Sequence, residues 1–134
     1  MISILIIGDG NVASHLYQAF LKADAVIVTK INSRNLTDIP NADVIIIAVS
    51  DDAIAEVSSK IPNSLVVHTS GSVAMNSLNN KGRKGVFYML QTFSKNKIVD
   101  FSEVPFCLEA ENEKDYILIE LLANLIGKKI YAIN

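Results

Sequence analysis

The feature that most restricts how this chain can fold lies at its start. Ser3 to Ile7 is a short apolar run rich in β-branched residues, as a strand buried on both faces requires. It runs directly into Gly8-Asp9-Gly10-Asn11-Val12-Ala13, a Gly-x-Gly-x-x-Ala turn. Gly8 permits the tight turn. Gly10 carries no side chain, so a pyrophosphate can approach the backbone. Ala13 is small enough for a following helix to pack on the strand. Val12, Leu16, Ala19 and Phe20 then recur at helical spacing and give one apolar face for a sheet. The N-terminus of that helix offers free N–H groups and partial positive charge to an anion. Strand, turn and helix together point to a nucleotide cofactor at Gly8 to Ala13; a bare structural turn is the competing reading.

The next strand is expected at Ala25 to Ile31, ending in Asn32-Ser33-Arg34-Asn35. In a dinucleotide fold this strand's end faces the adenosine ribose, and an Asp or Glu there selects NAD. Neither is present. The Ser33 hydroxyl and the Arg34 guanidinium suit a 2′-phosphate instead, so NADP is expected and NAD is the lesser alternative. A solvated loop arginine is the bland account. Leu36 to Asn41 is too short for a crossover helix, and at most Leu36 to Ile39 makes a short edge strand. Asp43 to Val49 is almost wholly apolar and belongs beside the first strand, across the switch point where ligands bind. Ser50-Asp51-Asp52 leads into a helix over Ala53 to Lys60. Capping is the favoured role of the two acids, and their backbone would border the cofactor.

Leu65 to His68 reads as a further strand, closing in Thr69-Ser70-Gly71-Ser72 before a short helix from Val73 to Leu78. Val86 to Leu90 is another, followed by Gln91. His68, Ser70, Ser72 and Gln91 are the reachable polar groups of the sheet's carboxyl edge, and hence the candidate catalytic residues. A satisfied strand histidine and capping serines are the competing accounts. Pro105 to Glu109 is a strand. Asn112 is a plausible N-cap for the longest helical pattern, Glu113 to Ile126, and Gly127 stops it. Lys129 to Ile133 is the last strand. The expected fold is an α/β, three-layer Rossmann domain over residues 1–134, with a mostly parallel sheet whose last strands can run antiparallel. No spacing of His, Cys and acidic residues suits a metal.

Half of the residues are hydrophobic. No run reaches the roughly 18 apolar residues of a membrane span, and the chain does not open on a basic region followed by an apolar stretch and a cleavage site, so the excess is expected in doubly buried strands and at an interface. A net charge of −2 argues against a nucleic-acid partner. The single Cys107 is expected as a buried, inert thiol. A cytoplasmic location follows by default.

Several segments taken together resemble a known group. Gly8-Asp-Gly-Asn-Val-Ala-Ser-His15-Leu, Ala42-Asp-Val-Ile-Ile-Ile-Ala-Val-Ser50-Asp51, His68-Thr-Ser-Gly-Ser72 and Phe87-Tyr-Met-Leu-Gln-Thr-Phe-Ser94 are similar to the small Rossmann-like NADP oxidoreductases that carry a C-terminal helical domain of unknown function. These sit near pyrroline-5-carboxylate reductase, the 6-phosphogluconate and β-hydroxyacid dehydrogenases and the deazaflavin-dependent NADP reductases. The resemblance implies a nicotinamide dinucleotide on Gly8, Gly10, Asn11, Val12 and Ala13. It would place Ser33 and Arg34 at the adenosine end and Val49, Ser50 and Asp51 along the middle. Met89 stands where the group usually has a proline, and the helix after the second strand is absent. The group's helical domain, which closes over the nicotinamide and makes the dimer, is expected to be missing from these 134 residues. The activity implied is hydride transfer to or from a small carbonyl or imine substrate. A chain lacking the second domain would bind cofactor but turn over little, and its bared apolar surface would favour a homodimer. A non-catalytic dinucleotide-binding, redox-sensing or assembly module is the alternative.

Overall fold

The computed structural model describes residues 1–34 and 36–133. Asn35, expected in the turn after the second strand, and the terminal Asn134 lie outside the described residues. The strands are β1 (Ile2–Ile7), β2 (Val26–Ile31), β3 (Val44–Ile47), β4 (Val66–His68), β5 (Lys84–Met89), β6 (Pro105–Ala110) and β7 (Lys129–Ala132). The helices are α1 (Asn11–Leu21), α2 (Ile54–Ser59) and α3 (Glu113–Ile126). One sheet holds all seven strands in the order β2-β1-β3-β4-β5-β6-β7. From β2 to β5 every pairing is parallel. β6 turns antiparallel to β5, and β7 lies parallel to β6.

The alternation along β1 explains the three layers. Ile4 and Ile6 pack with Ala13, Leu16 and Phe20 of α1 and with Ile119, Leu122 and Ala123 of α3. Leu5 and Ile7 point the other way and pack with Ile54 and Val57 of α2. A strand section whose neighbours on both faces are helices is apolar at successive positions, which is why Ile4 to Ile7 of β1 and the whole of β3 read as unbroken hydrophobic runs. The face of α1 that reaches the sheet is Ala13, Leu16 and Phe20, with Val12 and Ala19 at its margin.

Several local expectations need correction. No strand forms at Leu36 to Ile39; Leu36 and Ile39 pack as irregular chain against the α2-side core. The helix expected over Ala53 to Lys60 divides into a 3-10 turn, Asp51–Ala53, and the short α2. Between Val73 and Leu78 there is only a 3-10 turn, Met75–Ser77. Cys107 is half-buried rather than buried. It pairs with Tyr88 on one side and Tyr131 on the other, in a row across β5, β6 and β7. This face lies opposite α3, and at β5 the 70–79 segment packs on it, with Gly71 against the Tyr88 ring. By contrast α3 begins and ends as read. Asn112 accepts from the Asp115 N–H at 2.8 Å, and Gly127 follows the last turn.

Candidate functional site

The first strand's carboxyl end carries the glycine turn, and the fold decides what each of its small residues does. Gly8 has φ +143°, and a Cβ there would collide with the carbonyl oxygen of Ala48 at the end of β3. Its N–H donates to Ile31 at 2.9 Å, while Ala48 N–H donates to Ile7 at 2.9 Å. Gly8 is thus the knot that lets β1, β2 and β3 end together. Gly10 is different: it has ordinary φ, and a Cβ would meet nothing within 4 Å. Its lack of a side chain serves open space, not packing. Ala13 is fully buried against Gly8.

That open space is a cleft of about 360 Å³ at the point where the chain crosses from one side of β1 to the other. Gly8, Gly10, Asn11, Val12, Ser33, Val49 and Ser50, all expected here, line it. Asp9, Ala48, Ala53 and Thr69, which were not expected, line it too. The N-terminus of α1 opens onto the cleft with Gly10 as N-cap and no side chain accepting from its first N–H groups. Those donors, and the positive end of the helix, suit a phosphate. The dinucleotide expected at this turn therefore fits the residues present: a floor without side chains, free N–H groups beside it, and a hydroxyl and a guanidinium at the β2 end.

Several expected site residues have partners of their own. Asn11 borders the cleft, but its Nδ2 donates to the Phe93 carbonyl at 3.2 Å. His15 meets the Ser94 carbonyl at 2.8 Å and lies against the Phe93 ring. These two residues of α1 thus tie down the segment after β5. Arg34 stands beside the cleft, largely exposed. Asp51 turns away from it: the Ser72 hydroxyl donates to its Oδ2 at 2.8 Å, and Ser70 Oγ lies 3.3 Å from Ser72 Oγ. Hydrogen bonds from Ser72 and then Ser70 hold the Asp51 carboxyl below its ordinary pKa. The result is a carboxylate-hydroxyl bridge joining the loops after β3 and β4, in place of the helix cap expected for this acid.

His68 needs a correction as a reachable group. Its side chain is fully buried, and Ser70 N–H donates to its Nδ1 at 3.1 Å. The ring proton of the neutral form therefore sits on Nε2, which finds no partner. Burial pushes its pKa down, against a smaller opposing effect of the Ala74 and Val73 backbone. No serine hydroxyl reaches the ring, so His68, Ser70 and Asp51 do not form a nucleophilic triad. Gln91 is exposed, and its Nε2 donates to the neighbouring Thr92 carbonyl at 3.1 Å. The four candidate catalytic residues are not gathered around one point. Among the described residues no cluster of His, Cys, Asp and Glu could hold a metal, and no helix is long and apolar enough to cross a membrane.

Comparison with solved structures places this geometry. A putative NADP oxidoreductase of Bacteroides fragilis superposes with a TM-score of 0.87 at 30% identity, over 99% of this chain and 61% of that one. The fold is that of a Rossmann-type dehydrogenase domain. A pyrroline carboxylate reductase of Plasmodium falciparum, solved with NADP bound, matches this Rossmann domain with a TM-score of 0.72 at 14% identity, covering 99% of this chain and 58% of that one. An imine reductase of Streptomyces aurantiacus matches with a TM-score of 0.68 at 15% identity, over 98% and 55% of the two chains. These matches, a putative NADP oxidoreductase and pyrroline carboxylate reductases, are of the kinds that the sequence motifs resemble. The Rossmann domain spans about three-fifths of the length of such structures. No protein-family model and no curated protein matches the chain.

Proposed function

We propose that the chain is the NADP(H)-binding domain of an oxidoreductase that moves a hydride to or from a small carbonyl or imine. The observation carrying this reading is Gly10. It is a residue kept without a side chain where the protein itself has no use for the space, at the mouth of an uncapped helix N-terminus. The α1 N–H groups hold the pyrophosphate. Ser33 and Arg34 take the adenosine end, and Val49 and Ser50 give the wall along the middle. When bound, the nicotinamide supplies or accepts the hydride. The protein's part is to orient it against substrate, to exclude water and to place a proton donor. The names of the similar structures support the class: an NADP oxidoreductase, pyrroline carboxylate reductases and an imine reductase.

The described site is one-sided. The candidate catalytic groups near the sheet edge are a buried histidine, a serine–aspartate bridge and an exposed glutamine. None is a proton donor facing the cleft. The expected outcome of a turnover assay with NADPH over a panel of small ketones and cyclic imines is binding with little or no catalysis by residues 1–134. Any longer form of the gene product should be active in the same assay. Robust turnover by the 134-residue chain as a monomer would contradict this reading.

A further inference from the structure

The sequence reading of Ser33 and Arg34 relies on there being no carboxylate at the end of β2. The fold brings one there from another element. Asp9, the residue between the two glycines, directs its side chain across the turn toward β2. Its Oδ2 accepts from Asn32 Nδ2 at 3.1 Å and lies 3.7 Å from Arg34 Nη2. Asn32 Oδ1 in turn accepts the Arg34 N–H at 2.8 Å. Asp9 and Ser33 line the same cleft. The Asp9 side chain is 48% exposed and that of Arg34 78%, so a ligand can reach both.

Building on the dinucleotide reading above, we infer that Asp9 is a cofactor-selectivity residue. It is a carboxylate delivered by the glycine turn to the adenosine-ribose position, and it holds the preference for NADP(H) over NAD(H) below what Arg34 alone would give. A carboxylate at this position accepts from a ribose 2′-hydroxyl, the task that an acid on β2 performs in NAD-selective domains. The same carboxylate repels a 2′-phosphate, which carries between one and two negative charges. It also occupies the guanidinium that the phosphate needs. An exposed ion pair of this length is weak, so Arg34 can leave it for a phosphate. The repulsion between Asp9 and the phosphate remains after Arg34 has moved. NAD(H), lacking that group, meets no such repulsion.

The experiment is a fluorescence titration of NADPH and NADH against the unaltered protein, Asp9→Asn, Asp9→Ala and Arg34→Ala, each at low and high salt. Asp9→Asn keeps the acceptor for Asn32 and removes the charge. It should tighten NADPH by about five- to tenfold and leave NADH unchanged or slightly weaker. Asp9→Ala should shift the ratio in the same direction. Arg34→Ala should weaken NADPH alone, and the gain from Asp9→Asn should shrink at high salt. If both cofactors bind and neither Asp9 variant changes their ratio, the selectivity inference is overturned and the dinucleotide site stands. If neither cofactor binds the unaltered protein, both fall.

Discussion

At the scale of single residues, His68 shows how burial changes a role. Its position as the last residue of an apolar strand was plain from the sequence, and so was its place at a carboxyl edge. Its inaccessibility was not, because that depends on how the 70–79 segment folds back over β4. The neutral ring is kept by burial, which makes it a stability group. Its folded-state pKa lies below the ordinary 6.5, so the unfolded chain binds the proton more readily. The stability it allows is complete above pH 6.5 and falls as pH drops below that value toward the lowered folded-state pKa. Asp51 acts in the same direction but in a separate window, below its ordinary 3.8. Melting temperatures should therefore decline between pH 7.5 and 5.5. His68→Asn, which keeps an acceptor for the Ser70 N–H, should flatten that decline. An unchanged slope in the variant would show that other groups are responsible.

Asp9 was passed over for a different reason. The fingerprint leaves the position between its glycines unspecified, and only the approach of the turn to the end of β2 gives that carboxylate a partner. A signal was available: an acidic side chain inside a loop read as an anion site is an anomaly that asks for a cation nearby.

At the scale of elements, β1, the glycine turn and α1 were legible almost to the residue, because one pattern encodes all three. A short, β-branched apolar run that stops at a glycine turn reads as a doubly buried strand. Gly8 and Ala13 are small because they pack closely, whereas Gly10 opens onto free space. The link from β2 to β3 was legible only as an absence of helix; its packing through Leu36 and Ile39 is set by tertiary contact with the α2-side core, not by local propensity. The two glycines of the turn should respond in opposite ways. Gly8→Ala puts a Cβ against the Ala48 carbonyl at a φ that side chains rarely adopt, and should cost about 2–4 kcal/mol of stability in chemical denaturation. A loss below about 0.5 kcal/mol would mean that the β1–β3 junction can yield and that the turn is not the knot described.

At the scale of the whole molecule, the two halves of the sheet differ. From β2 to β5 the strands are parallel, and helices pack on both faces of β1 and β3. Past β5 the sheet reverses direction, and Cys107 and Tyr131 lie on the face of β6 and β7 opposite α3. The high hydrophobic content was legible as an excess, but its division between core and exposed face was not, since composition carries no address. The carboxyl edge carries the cleft proposed for the cofactor. Everything proposed for this chain hangs on that cleft binding a dinucleotide. The direct measurement is a fluorescence titration of the chain with NADPH, beside Gly10→Val, with circular dichroism and melting of both proteins. A Cβ at Gly10 meets no protein atom, so the variant should fold like the parent, within a few degrees in melting temperature. The account predicts saturable binding to the parent and at least about a hundredfold weaker binding to the variant. Equal affinities in two equally folded proteins would contradict it.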